Sequence, residues 1–411
     1  MYRIRRASAV DTDELVRLNA ELHGTSDRGR AEIGSWTRDL LTGHPTVAPE
    51  DFLIAEAPGG TIAATLVEIR QTWRCGAASL PVVQVELVGT APEHRGNALT
   101  GALLDVVHRR EGVALHAIEG IAHFYRHFGY DYGLVPGGAP LLPVADIPDP
   151  DGPVSVRRAT GADAAELAAI DHRRLSTVEL FCPRTEAQWR YEFARHPESL
   201  MCQEIDVISA AGATVGYAIH SRWSGPAGVL HLFPALTDPR WWPQATAAVL
   251  AHLRAAGAEA VHPHVEADHP LIRHAPRTGA AQRRDEWYTR AADPTALLRA
   301  WLPALRDRLS GIDWPHPTLR IDTYHAATDL CFDGDGTLHE VRPAPRAHYP
   351  ARDEAVHAAI PPGALVELAL GQRTIDEAAI AWPDLRVRGE AATAALAAAF
   401  PRIPVHLWPF M

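Results

Sequence analysis

Hydrophobic residues alternate with other residues along several short stretches of the chain, and turn-forming residues separate these stretches. The clearest alternation covers residues 82–87, where Val83, Val85 and Leu87 predict a strand. From Leu99 onward the apolar positions follow helical spacing, which predicts an amphipathic helix. The same patterns predict a helix near 32–41 and further strands at 2–6, 52–56, 61–70 and 112–119.

The turn between that strand and helix is built of small and polar residues. Thr90-Ala91-Pro92 ends the strand, and Glu93-His94-Arg95-Gly96-Asn97-Ala98 leads into the helix. In such a turn several backbone N–H groups point outward, and the positive N-terminal end of the helix lies behind them. This arrangement suits the binding of a pyrophosphate. Small side chains at Gly96 and Ala98 allow close approach, and Arg95 adds a fixed positive charge. We interpret the turn as a coenzyme A cradle; a turn that serves only helix packing is the alternative.

An internal repeat divides the chain. Residues 154–167, VSVRRATGADAAEL, repeat residues 2–15, YRIRRASAVDTDEL, with Arg-Arg-Ala and Glu-Leu in register. The repeat predicts a second domain with strands and a helix in the same order. At the position of the cradle it carries the bulky Leu236-Thr-Asp-Pro-Arg-Trp-Trp-Pro243, which predicts loss of coenzyme binding and a scaffold role. We therefore predict domains at 1–145, 154–295 and 296–411, joined first by the Pro/Gly-rich stretches 135–140 and 146–153.

The third region combines helices, a small sheet and an apolar tail. It predicts a helix at 297–309, a strand at 318–322, a turn at Asp333–Gly336, two helices at 375–381 and 390–400, and the tail 403–411. The turn residues resemble a calcium loop only superficially, since no downstream ligand pattern follows them.

Composition and charge narrow the possible functions. The 411 residues carry a net charge of −11, which opposes nucleic-acid binding and favours cationic substrates. Lysine is absent from the sequence, which excludes a Schiff-base or P-loop lysine. Neither a signal peptide nor a 20-residue apolar span is evident, so we expect a cytoplasmic protein without membrane contact. The four scattered cysteines predict free thiols.

No metal site is expected from the sequence. His262-Pro-His264 and His269 lack a carboxylate–histidine periodicity, and a structural role is favoured for them.

Two segments resemble the GNAT N-acetyltransferases. Arg95-Gly96-Asn97-Ala98-Leu99-Thr100 is similar to their Arg/Gln-x-x-Gly-x-Gly/Ala motif, although Ala98 and Thr100 occupy the two small-residue positions. Phe124-Tyr125-x-x-Phe128-Gly129-Tyr130 is similar to the aromatic helix end of the same superfamily. Together with the tandem domains and the third region, the whole chain resembles the Eis (enhanced intracellular survival) family of aminoglycoside acetyltransferases. The resemblance implies an α/β (α+β) fold: two tandem GNAT-like domains with mixed central sheets, and a C-terminal sterol-carrier-like α+β domain.

The resemblance also implies residue roles. Tyr125 would be the general acid and the terminal carboxylate of Met411 the base, in a direct transfer from acetyl-CoA, without a metal, to the amine of a small molecule. The acceptor would lie near Asp27, Trp36 and Phe410, and an apolar Phe410 points to a smaller or more apolar amine. The expected coenzyme-binding residues are Leu87, Val88, Gly89, His94, Arg95, Gly96, Asn97, Ala98, Leu99 and Thr100. The family also implies a homo-oligomer, a hexamer.

Several alternatives remain at this point. Tyr125 and Trp36 can be core aromatics, Asp27 a solvated acid, and the tail can pack away from the site. A non-catalytic carrier of an apolar ligand, or a transferase that uses another acyl-CoA, is the rival function.

Overall fold

The computed structural model describes residues 1–135, 137–145, 147, 149–177, 179–222, 228–282 and 287–407. The predicted roles of Phe410 and Met411 therefore fall outside the described residues.

Residues 3–134 form a sheet with helices on both faces. Its strands are β1 Arg3–Arg6, β2 Phe52–Glu56, β3 Ile62–Cys75, β4 Ala78–Thr90, β5 Leu115–Glu119 and β6 Asp131–Leu134, and its helices are α1 Thr12–His23, α2 Asp27–Thr42 and α3 Leu99–His108. Strands β1 to β4 pair antiparallel, whereas β4 and β5 run parallel. The apolar face of α3 packs on Leu53 and Leu66, and α1 and α2 pack on Phe52 and Ile54, which alternate to the other face.

Six strands between residues 142 and 263 form a second sheet with the order β7-β13-β12-β11-β10-β8. The elements of residues 142–291 are β7 Leu142–Pro143, β8 Val154–Arg158, α4 Ala164–Arg174, β9 Leu180–Phe181, α5 Glu186–Ala194, β10 Gln203–Ala210, β11 Ala213–Ser221, β12 Val229–Leu236, α6 Trp242–Ala255, β13 Ala260–Pro263, α7 Pro270–His274 and β14 Trp287–Ala291. Again one parallel pair, β12 with β13, follows antiparallel strands.

The two sheets begin with the same local interactions. The guanidinium of Arg5 binds the carboxylate of Asp11 at 2.7 Å, and that of Arg157 binds Asp163 at 2.6 Å. In each copy this carboxylate also accepts a backbone N–H at 2.8 Å, from Ser8 and from Thr160. The repeat seen in the sequence thus folds the same way twice.

The third region packs against the first sheet. Its elements are α8 Pro294–Ala300, α9 Leu302–Leu309, β15 Thr318–Asp322, β16 Ala327–Phe332, β17 Leu338–Ala344, β18 Ala358–Ala359, α10 Pro362–Ala369, α11 Ile375–Ala381, β19 Arg386–Val387, α12 Gly389–Ala399 and β20 Val405–His406. The strands form a five-stranded sheet in the order β17-β16-β15-β18-β19. Trp73 and Leu115 of the first sheet share a core with Leu297, Trp301 and Leu365.

Strands cross between the regions. β14 pairs with both β5 and β6 of the first sheet, and β7 pairs with β13 of the second. β20 pairs with β9, which meets β3 at Arg74. The domain limits at 145, 154 and 295 stay a prediction, but the chain on either side of each limit contributes to a shared sheet.

The α/β fold class is confirmed, and two local predictions are corrected. The helix expected at 297–309 is interrupted between Ala300 and Leu302, because Pro303 cannot continue the hydrogen-bond ladder and starts a new helix instead. The two stretches expected as a linker contribute Ala139 and Ile147 to the hydrophobic core of the second sheet. Among the described helices, none has the length and apolarity required to cross a bilayer.

Candidate active site

A cleft opens where β4 and β5 separate. The two strands pair only from Val82–Gln84 to Leu115–Ala117 and diverge beyond these residues. On its other side β4 carries a bulge: Thr65 pairs with Gly89 and Val67 with Glu86, so two residues of β4 face one of β3. The bulge turns Leu87 to a φ of 51° and takes Leu87 and Val88 out of the regular ladder.

The predicted cradle lies at the open end of this cleft. Gly96 has a φ of 79° and Ala98 a φ of 54°, so the backbone turns twice through the left-handed region before α3 begins. The first hydrogen bond of the helix joins the Ala102 nitrogen to the Ala98 oxygen at 3.1 Å. The amides of Leu99 and Thr100 precede that bond and are among those a helix cannot satisfy internally. They are available to an anion.

Side chains hold the cradle in place. The Asn97 amide donates to the His94 carbonyl at 2.9 Å, and the His94 ring lies 3.1 Å from the Tyr2 hydroxyl. Arg95 donates to the Thr90 carbonyl at 3.4 Å. The hydroxyls of Thr100 and Thr90 are 3.3 Å apart. Thr100, the larger residue of the motif, therefore ties the start of the helix to the end of β4.

A cavity of about 740 Å³ follows the cradle. Nine of the ten expected coenzyme-binding residues line it, Val88, Gly89 and the run 94–100 without a break, together with Leu22, His23 and the aromatic segment after β5. The tenth, Leu87, lines a smaller adjoining cavity of about 180 Å³. The structure thus brings the residues predicted from the motif to one continuous surface.

Tyr125 stands between the two cavities. It lies on the 3₁₀ turn Phe124–Phe128, is 4% exposed, and lines both cavities. Burial, with a smaller contribution from the negative charge of Glu86, raises the pKa of Tyr125 above its ordinary value. Tyr125 therefore stays protonated at neutral pH and is able to donate that proton.

Gly120 leaves room for this ring. A Cβ atom at Gly120 would lie 2.8 Å from Cε2 of Tyr125, closer than real side chains approach.

Strand β14, which pairs with β5 and β6 of the first sheet, packs against Tyr125 through Tyr288. The Tyr288 ring lies 5.6 Å from that of Tyr125, centroid to centroid, and its hydroxyl is 2.6 Å from that of Tyr132. Sequence analysis did not point to Tyr288, because nothing in the sequence signals that residues 287–291 join the first sheet.

The smaller cavity holds two carboxylates that the sequence analysis also missed. Glu86 and Glu119 line it together with His23 and Trp36. Burial raises the pKa of Glu86 to about 8; a hydrogen bond from Gln84 opposes this shift, and the charge of Glu119 adds to it. Burial also lowers the pKa of His23. Alternating polar residues at 84 and 86 in an otherwise apolar strand were the available signal.

A buried hydrogen-bond chain runs along the sheet to Glu86. The Gln84 amide donates to a Glu86 carboxylate oxygen at 2.7 Å, and the Gln71 amide donates to the Gln84 oxygen. The Trp73 indole in turn donates to the Gln71 oxygen at 2.7 Å. The chain fixes one oxygen of the carboxylate.

The remaining predicted residues are placed differently. Trp36 is buried and lines the smaller cavity, whereas Asp27 lies exposed at the start of α2 and pairs with Arg30 outside both cavities. The structure does not bring Asp27 to the acceptor side. β20 is the last described strand and runs parallel to β9; Phe410 and Met411 follow it in the sequence and fall outside the described residues.

The comparisons with known proteins agree with this geometry. Residues 3–133 match the family model of the acetyltransferase (GNAT) domain. None of the curated proteins matches the sequence at a significant level.

Solved structures extend the likeness over the whole chain. A GCN5-related N-acetyltransferase from Anabaena variabilis is 13% identical with a TM-score of 0.72, and one from Kribbella flavida is 20% identical with a TM-score of 0.68; each alignment covers 99% of both chains. Eis1 from Mycobacterium abscessus is 18% identical with a TM-score of 0.60 over 98% of both chains. At these identities the neighbours show a shared fold. With its GNAT acetyltransferase domain at residues 3–133, the protein is an acyltransferase.

Proposed function

We propose that the protein transfers an acetyl group from acetyl-CoA directly to the amine of a small molecule. One observation carries the proposal: a backbone turn with free amides, a protonated tyrosine, and the carboxyl groups of buried Glu86 and half-buried Glu119 line two cavities that share the bulge of β4. This is the arrangement that direct acyl transfer requires, with an acid on one side of the reacting carbonyl and a base on the other.

The coenzyme binds first through its diphosphate. The amides of residues 96–101 and the start of α3 receive the phosphate oxygens, and Arg95 adds charge. The thioester then reaches the bulge, where the Val88 N–H receives the carbonyl oxygen as negative charge develops on it.

Tyr125 acts as the acid. The amine attacks the thioester carbon, the carbon–sulfur bond breaks, and the sulfur takes the Tyr125 proton. Because burial keeps the phenol protonated, the acid form is present throughout the neutral range.

A carboxylate takes the proton that the amine loses. Two carboxylates are candidates: that of Glu86, supported by its place in the smaller cavity and its pKa near 8, and the terminal carboxylate of Met411, supported by the family resemblance. A base with a pKa near 8 suits a substrate ammonium far better than an ordinary carboxylate with a pKa of about 4.

The acceptor is a small or narrow amine. The smaller cavity of about 180 Å³ must hold both the acetyl group and the amine, which favours acetyl over longer acyl groups. Trp36 forms an apolar wall there, and the carboxyl groups of Glu86 and Glu119 offer hydrogen-bond acceptors to the amine.

Turnover of an amine panel tests the proposal. Coenzyme A release is measured with acetyl-CoA and aminoglycosides, arylalkylamines and short polyamines. Tyr125→Phe should lower kcat at least tenfold with little change in the affinity for acetyl-CoA. The matched control is Tyr130→Phe, a buried tyrosine whose hydroxyl lies 3.1 Å from His108. If wild-type protein neither binds acetyl-CoA nor releases coenzyme A, or if Tyr125→Phe is as active as the control, the proposal fails.

Two variants separate the candidate bases. If Glu86 is the base, Glu86→Gln should lower kcat and remove the rise of the rate with pH that ends near pH 8, whereas two residues added after Met411 should leave the rate unchanged. The opposite pair of results assigns the base to the terminal carboxylate.

The sterol-carrier-like nature of residues 296–411 and a hexameric assembly are further proposals from the resemblance. Sedimentation velocity of the full chain tests the assembly; a monomer or dimer at micromolar concentration would refute it.

A further inference from the structure

Three histidines meet on one face of the second sheet. His231 of β12 is the parallel-strand partner of His262 on β13, and His264 follows two residues later, so all three side chains leave the same side of the sheet. His231 is exposed, and the other two are half-buried. The His-Pro-His sequence offered only two of these ligands; strand pairing supplies the third.

Their ring nitrogens are close enough to share one ion. Each histidine offers a nitrogen within 4.8 Å of those of the other two. Nδ1 of His231 lies 2.7 Å from Nε2 of His264. The ring centroids of His262 and His264 are 4.6 Å apart.

Small side-chain rotations convert this cluster into a metal site. Zinc–nitrogen bonds of 2.0–2.1 Å in a tetrahedron place ligand nitrogens about 3.3 Å apart. The His231–His264 pair must therefore open by about 0.6 Å, and no pair must close by more than about 1.5 Å. Hydrogen bonds fix the backbone of these residues while the side chains rotate. The backbone N–H of His264 donates to the Leu232 carbonyl, and the backbone N–H of His231 donates to the Ser221 hydroxyl, both at 2.9 Å.

The chemistry of the cluster selects the ion. Imidazole nitrogens suit zinc, copper and nickel, whereas calcium and magnesium require oxygen ligands. We propose that His231, His262 and His264 together bind one Zn²⁺ ion through their ring nitrogens. The ion would join β12 to β13 in the second sheet. It is separate from the two cavities of the candidate active site, which are lined by residues between Leu22 and Phe128.

Zinc binding to the full-length protein tests this site. Competition between the protein and a chromophoric chelator, with bound metal counted by mass spectrometry, should show one tight equivalent of Zn²⁺. The double variant His262→Gln/His264→Gln should lose that equivalent, with an affinity drop beyond the roughly 10–100-fold typical of losing an outer-sphere partner. The matched control is His172→Gln/His339→Gln, two exposed histidines outside the cluster.

A further variant keeps the result interpretable. His231→Gln changes an exposed residue only, so its loss of zinc binding would report on the site even if the double variant folded poorly. The proposal is overturned if wild-type protein takes up no tight equivalent, or if His231→Gln and the double variant both retain it.

Discussion

Substituting aspartate for Ala98 tests the cradle with a charge rather than with bulk. Ala98 is exposed and already holds a left-handed φ of 54°, which aspartate and asparagine tolerate better than most residues. The residue is also the N-cap of α3, where a carboxylate stabilises the helix. Ala98→Asp should therefore fold as well as the wild type, while a negative charge stands where the diphosphate is proposed to bind.

The expected loss follows from Coulomb's law. Two unit charges interact with about 1 kcal/mol at 4 Å in water and about 4 kcal/mol at an effective dielectric constant of 20. The diphosphate carries about two charges and the cleft is half-open, so at roughly 6 Å the repulsion amounts to about 2–3 kcal/mol. The dissociation constant of coenzyme A should rise about 30- to 150-fold. Added salt should reduce the difference, because it screens exposed charges.

Calorimetric titration with coenzyme A measures this effect, and two controls isolate the charge. Ala98→Asn has nearly the same shape without the charge and should bind within a few-fold of the wild type. Ala211→Asp places the same charge at another exposed alanine, with a φ of 50°, in the hairpin turn between β10 and β11. If Ala98→Asp binds coenzyme A as tightly as Ala211→Asp does, the diphosphate does not lie on this turn and the site has been placed wrongly.

Three further predictions concern the same region. Ala98→Gly and Ala211→Gly should each raise the free energy of unfolding by about 0.5–1 kcal/mol, because relief of the left-handed backbone strain exceeds the extra freedom of glycine in the unfolded chain. Calorimetric melting measures this change. Lower stability of both variants would contradict the prediction. Gly120→Ala should displace the Tyr125 ring and lower kcat, while the affinity for coenzyme A stays unchanged. Gly59→Ala is the control, because a Cβ atom at Gly59 meets no atom within 4 Å. Equal kcat values of the two variants would refute the contact between residue 120 and Tyr125. The pKa of Glu86 is about 8 in the folded protein and about 4.3 in the unfolded chain, so the folded state binds the proton more tightly and the free energy of unfolding should fall as the pH rises from about 4 to 8. Glu86→Gln should flatten that part of a plot of the urea midpoint against pH. An unchanged slope would refute the pKa shift.

The elements that carry local signals could be predicted from the sequence. The strand Phe52–Glu56 has the predicted bounds, and the helix predicted from Leu99 onward begins at Leu99, because apolar patterning and helical spacing report directly on burial. The run 94–100 was found because its residue types are dictated by local backbone geometry. The break before Pro303 was equally visible in the sequence, and only the length of the apolar pattern around it favoured one continuous helix.

Features that depend on long-range pairing were beyond the sequence. The insertion of β14 between β5 and β6 brings Tyr288 behind Tyr125 from 163 positions away, and no local pattern specifies that partner. The meeting of His231 with His262 has the same origin, since it depends on the register of β12 against β13. Register is fixed by the fit of whole sheet faces rather than by the residues that happen to meet.

The bulge of β4 shows why the reacting centre is the hardest part to predict. Leucine rarely takes a positive φ, so the local preference of Leu87 is for regular strand, and the alternation of residues 82–87 predicts regular strand there too. The surrounding sheet imposes the other conformation: Leu87 is buried, and pairing resumes on both sides of it, from Val67–Glu86 to Thr65–Gly89. Strained residues of this kind persist only where neighbouring structure over-determines them, and they concentrate at functional sites. The bulge removes Val88 from the regular pairing of β4 with β3, and it lies between Glu86 and the cradle along the chain. A sequence pattern that follows local preference therefore fails at the residue around which the proposed chemistry is arranged.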